Sequence, residues 1–370
     1  MKKLLFLIHD LSHGGAEKVL VNLVNNMDST KFGITVLAMF GGGVNEQFLK
    51  PHIKYRTVFK KPFRGNSHVM KLFSPKMLHR LFVKGHYDIE ISYLEGPSAR
   101  VISGCANPDT KLVSWIHIEQ KTAKHAARAF ISIDEAVSCY NRFDLHVGVS
   151  ETVKRDFLSV LPISAPMIVL YNTNESEQIL AESKEKIESD LFSANTINLV
   201  GVGKLVPNKG FDRLCHIIKR LRDKQYPVHL YLLGTGSQRS ELEQYVGENS
   251  LNDAITFLGY RTNPYKYVRN SDIFVCSSHS EGFSTAATEA LIVGTPVVTT
   301  LVSGMKEMLG ENNEYGIITE NNEDALYEGI KRLLDDPSLL AHYKEKAAER
   351  GKSFSTEATV KAVEEMLLSL

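Results

Sequence analysis

Short apolar stretches alternate with segments of helical periodicity along nearly the whole 370-residue chain. In the first half, the apolar stretches are residues 3–8, 33–40, 53–59, 88–93, 111–117, 145–150 and 167–172. In the second half, they are residues 198–203, 228–233, 255–258, 272–276, 297–300 and 316–319. Strands that alternate with helices on this scale form parallel sheets. The alternation therefore predicts an α/β fold with doubly wound, Rossmann-like sheets.

The alternation is interrupted once, by the polar and charged stretch of residues 174–195. A chain of 370 residues also exceeds the length that one hydrophobic core usually organises. We therefore expect two domains, residues 1–173 and 196–352, with a linker and hinge at residues 174–195. The remaining residues, 353–370, have the pattern of a terminal amphipathic helix.

The composition is typical of a protein with two buried cores and no membrane span. Hydrophobic residues make up 43% of the chain, but no apolar run approaches the ~20 residues of a membrane-spanning helix. The first apolar run ends before His9, which is too early for a secretory signal peptide. The four cysteines are far apart in sequence, as in proteins with reduced thiols, and lack the paired spacing of a zinc site. These features predict a cytoplasmic protein without a bound metal.

The stretch that most directly indicates a ligand follows the apolar residues 272–276. The carboxyl end of a parallel strand and the N-terminus of the next helix together favour an anion. Gly282 permits close approach to the backbone, and Ser284 and Thr285 can cap the helix or donate to a phosphate. An ordinary capped helix is the alternative interpretation.

Two carboxylates, Glu281 and Glu289, flank this loop. A carboxylate next to a phosphate is electrostatically unfavourable, so both are better suited to accept hydrogen bonds from neutral hydroxyls. A ligand that carries a diphosphate and two polyols, such as a nucleotide sugar, fits this pattern. The alternative is that both glutamates are ordinary surface residues.

A second loop, residues 204–210, brings Lys204 and Lys209 to the N-terminus of a predicted helix, residues 211–225. Cations at this end oppose the helix dipole, so the lysines are poor helix stabilisers. They are well suited to a bound diphosphate, whose charge both can neutralise. The alternative is a pair of exposed surface lysines, which contribute little to stability.

Two further features lie in the first half of the chain. The turn between the first strand and its helix contains Gly14 and Gly15, which permit close approach of a ligand to the backbone. Turn geometry alone is an equally good explanation for the pair. His117 ends the apolar stretch 111–117, where ligands bind in such sheets, and we leave its functional and structural interpretations open.

Charge is unevenly distributed along the chain. Residues 1–170 contain 22 Lys or Arg against 14 Asp or Glu, whereas the complete chain contains 43 of each. Within residues 47–87 there are ten cations and no acid, and Phe59, Phe63, Phe73 and Phe82 are interleaved with them. The pattern is typical of a solvated basic face or of a surface that contacts anionic lipid or a lipid diphosphate. No recognition motif for nucleic acid occurs, so no nucleic-acid partner is expected.

Together these residues resemble the retaining glycosyltransferases of the GT-B architecture, specifically glycosyltransferase family 4. The motifs are Gly14-Gly15-Ala16-Glu17, Trp115-Ile116-His117, the Gly203-Lys204 to Lys209-Gly210 loop, Asn263-Pro264-Tyr265, and Glu281 to Glu289 with seven residues between. The resemblance covers essentially the whole chain. It implies two Rossmann-like domains that face each other across a donor-binding cleft, with the terminal helix of residues 353–370 returning to the first domain.

The resemblance also implies roles for single residues. The residues it assigns to donor binding are Gly14, Gly15, Gly282, Phe283, Ser284, Thr285 and Glu289, the last of these on the ribose. The catalytic residues it implies are His117, Lys204, Lys209 and Glu281. Both lysines neutralise the diphosphate, Glu281 holds hydroxyls of the transferred sugar, and Lys204 stands where family members commonly carry Arg.

The activity implied is hexosyl transfer with retention of configuration, from a nucleotide-diphosphate sugar, most typically a UDP-sugar, to a hydroxyl of a glycan or lipid-linked acceptor. Such enzymes act in cell-surface polysaccharide or glycolipid biosynthesis, here on the inner face of the plasma membrane if the basic stretch contacts lipid. No Asp-x-Asp occurs, so neither a metal nor another cofactor is expected. The alternatives are a sugar-nucleotide epimerase or hydrolase of the same architecture and a non-catalytic donor-binding subunit.

Overall fold

The structure is a computed structural model that describes residues 1–12, 14–63, 66–187, 191–192 and 195–370. The chain divides into two compact units. The first unit contains Met1–Asn174 and Thr356–Leu370, and the second contains Glu175–Ser355. Each unit is built around one parallel sheet.

The first unit has a seven-stranded parallel sheet in the order β3-β2-β1-β4-β5-β6-β7. Its strands are β1 (Lys2–Ile8), β2 (Phe32–Phe40), β3 (Lys54–Phe59), β4 (Ile89–Ser92), β5 (Lys111–Ile116), β6 (Leu145–Gly148) and β7 (Met167–Val169). Its helices are α1 (Gly15–Asn26), α2 (Asn66–Lys71), α3 (Pro75–Phe82), α4 (Pro97–Ile102), α5 (Ala123–Ala126), α6 (Ile133–Tyr140) and α7 (Glu151–Val160). A 3-10 helix, Val44–Phe48, follows β2.

The second unit has a six-stranded parallel sheet in the order β10-β9-β8-β11-β12-β13. Its strands are β8 (Ile197–Val202), β9 (Val228–Leu233), β10 (Ile255–Gly259), β11 (Ile273–Cys276), β12 (Val297–Thr300) and β13 (Ile317–Thr319). Its helices are α8 (Ser176–Glu182), α9 (Phe211–Asp223), α10 (Arg239–Glu248), α11 (Tyr265–Asn270), α12 (Thr285–Ile292), α13 (Met305–Leu309), α14 (Glu323–Asp335) and α15 (Pro337–Gly351). Its 3-10 helices are Pro207–Lys209 and Lys352–Phe354.

The central strands of both sheets are largely apolar and buried because helices cover both faces of a parallel sheet. In β1, the five residues Leu4–Ile8 are all buried, and β11 is buried throughout. Edge strand β3 contrasts with them, since none of its residues is fully buried. The predicted doubly wound α/β fold is confirmed, and the predicted strands agree with those of the structure to within a few residues.

The last helix, α16 (Thr356–Ser369), packs within the first unit. Lys2 Nζ donates to the carbonyl of Leu367 at 3.0 Å, and the backbone N–H of Asp28 donates to the Glu364 carboxylate at 2.6 Å. Near the helix start, Thr356 Oγ1 donates to the carbonyl of Asn174 at 2.7 Å. The terminal segment is therefore a structural part of the first unit although the whole second unit separates it in sequence.

The stretch predicted as a linker, residues 174–195, begins with helix α8 of the second unit. The side chain of Asn263 ties this helix to the loop before α11, because its Nδ2 donates to the Glu182 carbonyl at 2.9 Å. Residues 188–190, 193 and 194 of the stretch lie outside the described residues. The polar sequence did not reveal that the segment starts with a packed helix.

Two sequence expectations concern the molecule as a whole. Among the described residues, no helix has the length and apolar character needed to cross a bilayer. All four cysteines are buried and form no disulfide, in agreement with their interpretation as core residues; they are Cys105, Cys139, Cys215 and Cys276.

Candidate functional site

The loop after β8 is shaped by close backbone contacts with the loop after β9. A Cβ atom at Gly234, which has φ +139°, would lie 1.8 Å from the Gly203 carbonyl oxygen. At Gly236, a Cβ would lie 2.2 Å from the Leu205 carbonyl oxygen. Only glycine fits at these two positions, and the contact holds the segment that carries Lys204 and Lys209 against the carboxyl edge of the second sheet.

Gly210 makes the turn from this loop into α9. Its φ is +63°, and a Cβ would lie 2.2 Å from the carbonyl oxygen of Ser277, in the loop after β11. The Ser277 hydroxyl also donates to the carbonyl of Lys209 at 2.9 Å. The sequence analysis treated residues 203–210 and the loop after β11 as two separate candidates for ligand binding. In the structure these two loops are in direct contact.

Lys209 and Glu281 form an ion pair between these two loops. Lys209 Nζ lies 2.5 Å from Glu281 Oε1, and Ser278 Oγ donates to the same oxygen at 2.6 Å. Burial lowers the pKa of Lys209, but the charge and the hydrogen bond of Glu281 raise it by more, so the net pKa lies above its ordinary value. The sequence interpretation assigned the two residues to different parts of a ligand, and the structure adds that they pair with each other.

The loop after β11 has its backbone carbonyls engaged by side chains of the same unit. Arg213, in the first turn of α9, donates Nε to the Ser277 carbonyl at 2.7 Å and Nη2 to the Ser278 carbonyl at 2.6 Å. The next two carbonyls, of His279 and Ser280, accept from the side-chain amides of Asn321 and Asn208 at 2.9 and 2.8 Å. Carbonyl dipoles that are occupied in this way do not oppose an anion at the loop.

Sequence reasoning missed Arg213, which is 5% exposed. A cation in the first turn of a helix opposes the dipole, and this argument, applied above to the two lysines, also applies to Arg213. The sequence alone provides no sign that its partners are two carbonyls more than sixty residues away.

The N-terminus of α12 is the other half of the predicted phosphate site. Ser284 is buried and is the N-cap, since its Oγ accepts from the backbone N–H of Ala287 at 3.3 Å. Phe283 is buried, and a Cβ at Gly304, which has φ +77°, would lie 2.6 Å from its ring. The Phe283 side chain is therefore a packing residue, which leaves the backbone of Gly282, Phe283 and Thr285 as the part that a ligand can approach.

The remaining donor-site candidates of the second unit differ in exposure. Glu289 is 7% exposed and lies one helical turn after Thr285, on the same face of α12. Lys204 is exposed, and within the described part of the chain its ammonium group has no hydrogen bond or ion pair. The structure thus brings Lys209 into a network and places Lys204 on the same loop with an exposed charge.

In the first unit, Gly14 and Gly15 lie where the sequence placed them, at the start of α1. Gly14 is the N-cap residue with an extended backbone, and a Cβ there would lie 1.7 Å from a carboxylate oxygen of Glu17. The preceding residues contact the loop after β2, because the Asn45 side chain donates to the Ser12 carbonyl at 2.5 Å. The Glu17 carboxylate thus lies next to the glycine turn, where the sequence interpretation placed the donor diphosphate.

His117 follows β5 directly and is 7% exposed. Burial lowers its pKa to about 3, against a smaller opposite effect of a hydrogen bond to the Tyr93 backbone. Its Nε2 is buried without a hydrogen-bond partner among the described residues. The ring packs between aromatic neighbours, with its centroid 4.8 Å from that of Tyr93 and 6.5 Å from that of Trp115. His117 is therefore a neutral side chain with one unused nitrogen.

Glu95, which the sequence analysis did not consider, lies in the turn after β4 beside His117. Its Oε2 accepts the backbone N–H of His117 at 2.9 Å. Burial raises the pKa of this carboxyl group to about 7, against smaller opposite effects of hydrogen bonds from the backbone. The sequence signal was available, because Glu95-Gly96-Pro97 follows a predicted strand at its carboxyl end.

The basic stretch of residues 47–87 contains β3, α2 and α3. Its cations are mostly exposed, and none of those described forms an ion pair with a carboxylate; they are Lys50, Lys54, Arg56, Lys60, Lys61, Lys71, Lys76, Arg80 and Lys84. Arg64 lies outside the described residues. Exposed apolar side chains are concentrated in the same stretch: Phe48, Phe63, Val69, Leu72, Met77 and Leu81. Phe59 contacts Phe82, with ring centroids 5.6 Å apart, and both are partly buried.

One group of metal-ligand type side chains occurs among the described residues, at His79, Glu90 and Cys105. His79 Nε2 lies 2.7 Å from Glu90 Oε2, so the pair is already joined by a hydrogen bond. The group lies on α3, β4 and the segment after α4 of the first unit, and none of its three members is a donor-site candidate. It therefore gives no support to a metal in the donor site.

Comparisons with known proteins agree with this arrangement. Residues 13–174 match the family model described as Glycosyltransferase Family 4, and residues 182–350 match the model described as Glycosyl transferases group 1. A Campylobacter jejuni relative, N-acetylgalactosamine-N,N'-diacetylbacillosaminyl-diphospho-undecaprenol 4-alpha-N-acetylgalactosaminyltransferase, is 28% identical over 96% of each chain. The lipopolysaccharide core biosynthesis glycosyltransferase LpsD of Rhizobium meliloti is 24% identical over 98% of this chain and 96% of its own.

Solved structures share the fold at lower identity. HepE from Anabaena in complex with UDP is 21% identical, covers both chains completely and has a TM-score of 0.79. Sucrose-phosphate synthase from Thermosynechococcus elongatus is 16% identical, with a TM-score of 0.80 over 100% of this chain and 99% of that chain. Two family models that follow each other along most of the chain, full-length relatives that are glycosyltransferases, and this fold agree with one another: the chain belongs to glycosyltransferase family 4 and is a glycosyltransferase of the GT-B fold.

Proposed function

We propose that the protein transfers a sugar, with retention of configuration, from a UDP-sugar to a hydroxyl of a glycan or lipid-linked acceptor in cell-surface polysaccharide or glycolipid biosynthesis. The observation that carries the proposal is the pairing of Lys209 with Glu281 beside the N-terminus of α12. A cation for the diphosphate and a carboxylate for sugar hydroxyls lie next to each other there. Relatives that are named for polysaccharide and lipopolysaccharide synthesis support the pathway class.

The donor diphosphate binds at the N-terminus of α12, where backbone N–H groups and the helix dipole favour an anion. Lys209 lies within the network of the loop, and exposed Lys204 moves onto the phosphates when they arrive. When Lys209 turns to the phosphate, Glu281 loses part of its ion pair and becomes available to sugar hydroxyls. The Ser278 hydroxyl, at 2.6 Å from Glu281, keeps that carboxylate in place during the exchange.

In the transfer step, the bond between the anomeric carbon and the β-phosphate oxygen breaks while a bond to the acceptor oxygen forms on the same face. The acceptor's proton passes to the departing phosphate oxygen, so neither a protein nucleophile nor a metal is required. The protein contributes positioning and charge stabilisation through Lys209 and Lys204. His117 is neutral and accepts a hydrogen bond from a substrate hydroxyl at Nε2.

Glu289 binds the donor ribose. It is buried on the face of α12 that also carries Thr285, one turn from the phosphate-binding end. A ribose hydroxyl is bound equally in the ground state and the transition state, so its loss weakens binding more than turnover. Glu289→Ala is therefore expected to raise the KM for the donor and to leave kcat nearly unchanged.

The donor is tested by a thermal-shift panel of UDP, UDP-glucose, UDP-galactose, UDP-N-acetylglucosamine, UDP-N-acetylgalactosamine and GDP-mannose. A ligand at 100 times its Kd adds ~2.7 kcal/mol to the free energy of unfolding, which gives a clear shift. We expect the shift with one or more uridine nucleotides and its reduction in Glu289→Ala. A shift with GDP-mannose alone, or the same shift in wild type and Glu289→Ala, contradicts the donor assignment.

The reaction is tested with the donor from that panel and octyl glycosides as acceptors. An NMR spectrum of the product gives the anomeric configuration, and activity is measured again in EDTA. We expect retention and full activity in EDTA. Inversion of configuration, or loss of activity in EDTA with recovery in Mn²⁺, contradicts the mechanism.

The same assay distinguishes the alternative functions. Epimerised donor or free sugar formed without an acceptor would indicate the epimerase or hydrolase alternative, and donor binding without turnover would indicate a non-catalytic subunit.

The second proposed partner is an anionic membrane surface, which residues 47–87 contact. Helix α3 carries exposed Met77 and Leu81 one turn apart, next to exposed Lys76 and Arg80 in the same spacing. Such a face places apolar side chains at the lipid boundary and cations at the headgroups. Each cation near an anionic leaflet contributes about 1 kcal/mol of attraction.

This surface is held rigidly to the first unit. The guanidinium of Arg100, which is 1% exposed, donates to the carbonyls of Met70 and Phe73 at 2.9 Å each and to the Glu135 carboxylate at 2.8 Å. The segment before α3 is thus fixed by a buried polar group. The apolar side chains around it are exposed in a defined geometry, which favours a partner surface over a loose loop.

Sedimentation with vesicles of anionic lipid at low salt tests this contact. Wild type is expected to sediment with vesicles that contain phosphatidylglycerol and to remain in solution with pure phosphatidylcholine. Lys60→Glu with Lys61→Glu should abolish sedimentation without changing the thermal shift with donor. The matched control, Lys344→Glu with Lys352→Glu in the second unit, makes the same charge change and should sediment normally. Failure of wild type to sediment would remove the membrane role.

A further inference from the structure

Glu95 is held at the carboxyl edge of the first sheet by a fixed turn. It follows β4, and the next residue, Gly96, has φ +81° and is the N-cap of α4. The Gly96 N–H donates to the Tyr140 hydroxyl at 3.2 Å, so the turn is tied to α6. A positive φ at Gly96 is easily adopted only by glycine, and it sets the direction of the chain immediately after Glu95.

The Glu95 carboxylate is positioned by the neighbouring strand end. Oε2 accepts the backbone N–H of His117 at 2.9 Å, which joins the turn after β4 to the residue after β5. The residue is partly exposed, unlike the fully buried Glu90 on β4, although its carboxyl group is buried deeply enough to raise its pKa. The titratable residues beside it are His117, whose backbone N–H it accepts, and Tyr140, whose hydroxyl accepts the N–H of Gly96; both are neutral at pH 7 because burial lowers the pKa of His117 and raises that of Tyr140.

A second observation at the same edge points to a ligand. The His117 side chain is 7% exposed, and its ring nitrogen Nε2 is buried without a hydrogen-bond partner among the described residues. A buried ring nitrogen without a partner costs free energy, and a hydroxyl from a substrate satisfies it because a hydroxyl can both donate and accept. Among the described residues, this edge thus carries a carboxylate and an unpartnered ring nitrogen.

We propose that Glu95 is an acceptor-binding residue, whose ionised carboxylate accepts a hydrogen bond from a hydroxyl of the acceptor sugar next to the hydroxyl that is glycosylated. The inference rests on the proposed transferase function and names a residue for its acceptor side. Its carboxylate is an unfavourable neighbour for a diphosphate, and the residues proposed for the nucleotide and its phosphates at α9 and α12 belong to the second unit.

The proposal has a pH signature. Because burial places the Glu95 pKa at about 7, the ionised form increases as the pH rises through neutrality. The kcat/KM for the acceptor should therefore rise between pH 6 and 8 and then level off. In Glu95→Gln this rise should disappear, because an amide does not titrate. His117 contributes nothing in this window, since its pKa lies near 3.

The test measures transfer from UDP-sugars to octyl glycosides of glucose, galactose, mannose, N-acetylglucosamine and N-acetylgalactosamine. Glu95→Gln keeps an oxygen that accepts the His117 N–H, so the fold is retained, and Glu95→Asp keeps the charge at a shorter reach. We expect Glu95→Gln to lower kcat/KM for the acceptor by about 10- to 100-fold, as loss of a charged hydrogen bond does, with KM for the donor unchanged. Glu95→Asp should recover part of the loss.

The matched control is Asp109→Asn, an exposed carboxylate before β5, at the opposite edge of the same sheet. It should leave both KM values and the pH profile unchanged. An equal rise in donor KM in Glu95→Gln, or a pH profile that keeps its rise, overturns the proposal while the transferase function stands. If wild type binds UDP but transfers to none of the glycosides, the proposed acceptor class is wrong, and this inference is wrong with it.

Discussion

The carboxyl edges of the two sheets are equivalent in topology but opposite in chemistry. In the second unit the edge is charged, and two of its cations are already engaged, with Lys209 on Glu281 and Arg213 on the carbonyls of the loop after β11. In the first unit the edge has no cation among the groups described above, and His117 Nε2 is buried without a partner in the described part of the chain. At the edge of the second sheet, a ligand must replace contacts that the protein already makes with itself. At the edge of the first sheet, the buried Nε2 of His117 is still available for a hydrogen bond.

This difference has a physical reason. A charged group in a partly buried loop must be paired before a ligand arrives, because an unpaired buried charge is costly. A neutral acceptor without a partner costs only about 1–3 kcal/mol and can be left open for a substrate. The second edge is therefore suited to a phosphorylated donor, and the first to neutral hydroxyls.

The largest effect that the comparison predicts is at Lys209. Lys209→Ala removes a preorganised charge from the proposed phosphate-binding edge and should lower kcat by roughly 10²-fold or more. The measurement is steady-state transfer, with the melting temperature recorded to establish that the variant is folded. Lys344→Ala, an exposed lysine on α15, is the control and should behave as wild type. A folded Lys209→Ala variant with normal kcat would contradict the proposed difference in chemistry between the two edges.

The second effect is on stability, at the turn that joins the two loops of the charged edge. Gly210→Ala forces a side chain into a backbone with φ +63° and against the Ser277 carbonyl, and should lower the free energy of unfolding by about 1–3 kcal/mol. Gly247→Ala, on α10, has nothing within 4 Å of its Cβ and should be neutral or slightly stabilising. Urea unfolding measures both. Equal stability of the two variants would show that the loop contact is dispensable.

The third effect separates the two nitrogens of His117 at the carboxyl edge of the first sheet. His117→Asn retains a polar group near Nδ1 but none at Nε2, whereas His117→Gln reaches the Nε2 position. We expect kcat/KM to fall about tenfold in His117→Asn and less in His117→Gln, since one neutral hydrogen bond to substrate is lost only in the former. Equal losses in the two variants would contradict an acceptor role for Nε2.

The smallest effect concerns the pH dependence of stability in the first unit. Burial lowers the pKa of His79, but hydrogen bonds with Cys105 and Glu90 and the Glu90 charge raise it to about 9, above its ordinary value of 6.5. Its contribution to stability is therefore complete below pH 6.5 and is lost as the pH rises to 9. The melting temperature of wild type should fall over this range, and that of His79→Gln should fall less. An identical pH profile in both proteins would rule out this ion pair as the cause.

Much of the fold was predictable because it depends on patterns that are local in sequence. Apolar runs such as that of β1 must be covered on both faces, so their alternation with helices is enough to predict two parallel sheets. The glycine and serine after β11 likewise predict a capped helix with an open N-terminus, and Ser284 is that cap. Helix α8 was missed because its sequence is polar, and it is stabilised by tertiary contacts such as Asn263 to Glu182.

The sequence by itself determined which residues are candidates for binding a nucleotide sugar, since Lys209 and Glu281 lie in loops that follow strands and Glu289 lies in the helix after the second of these loops. Only the tertiary structure decided which of them meet. Lys209 and Glu281 are 72 residues apart and share an ion pair, Arg213 reaches carbonyls beyond any sequence pattern, and Glu95 joins His117 through a backbone N–H. The physical reason is that the order of strands in a parallel sheet, which places distant loops side by side, is set by the packing of the whole unit and not by any local stretch.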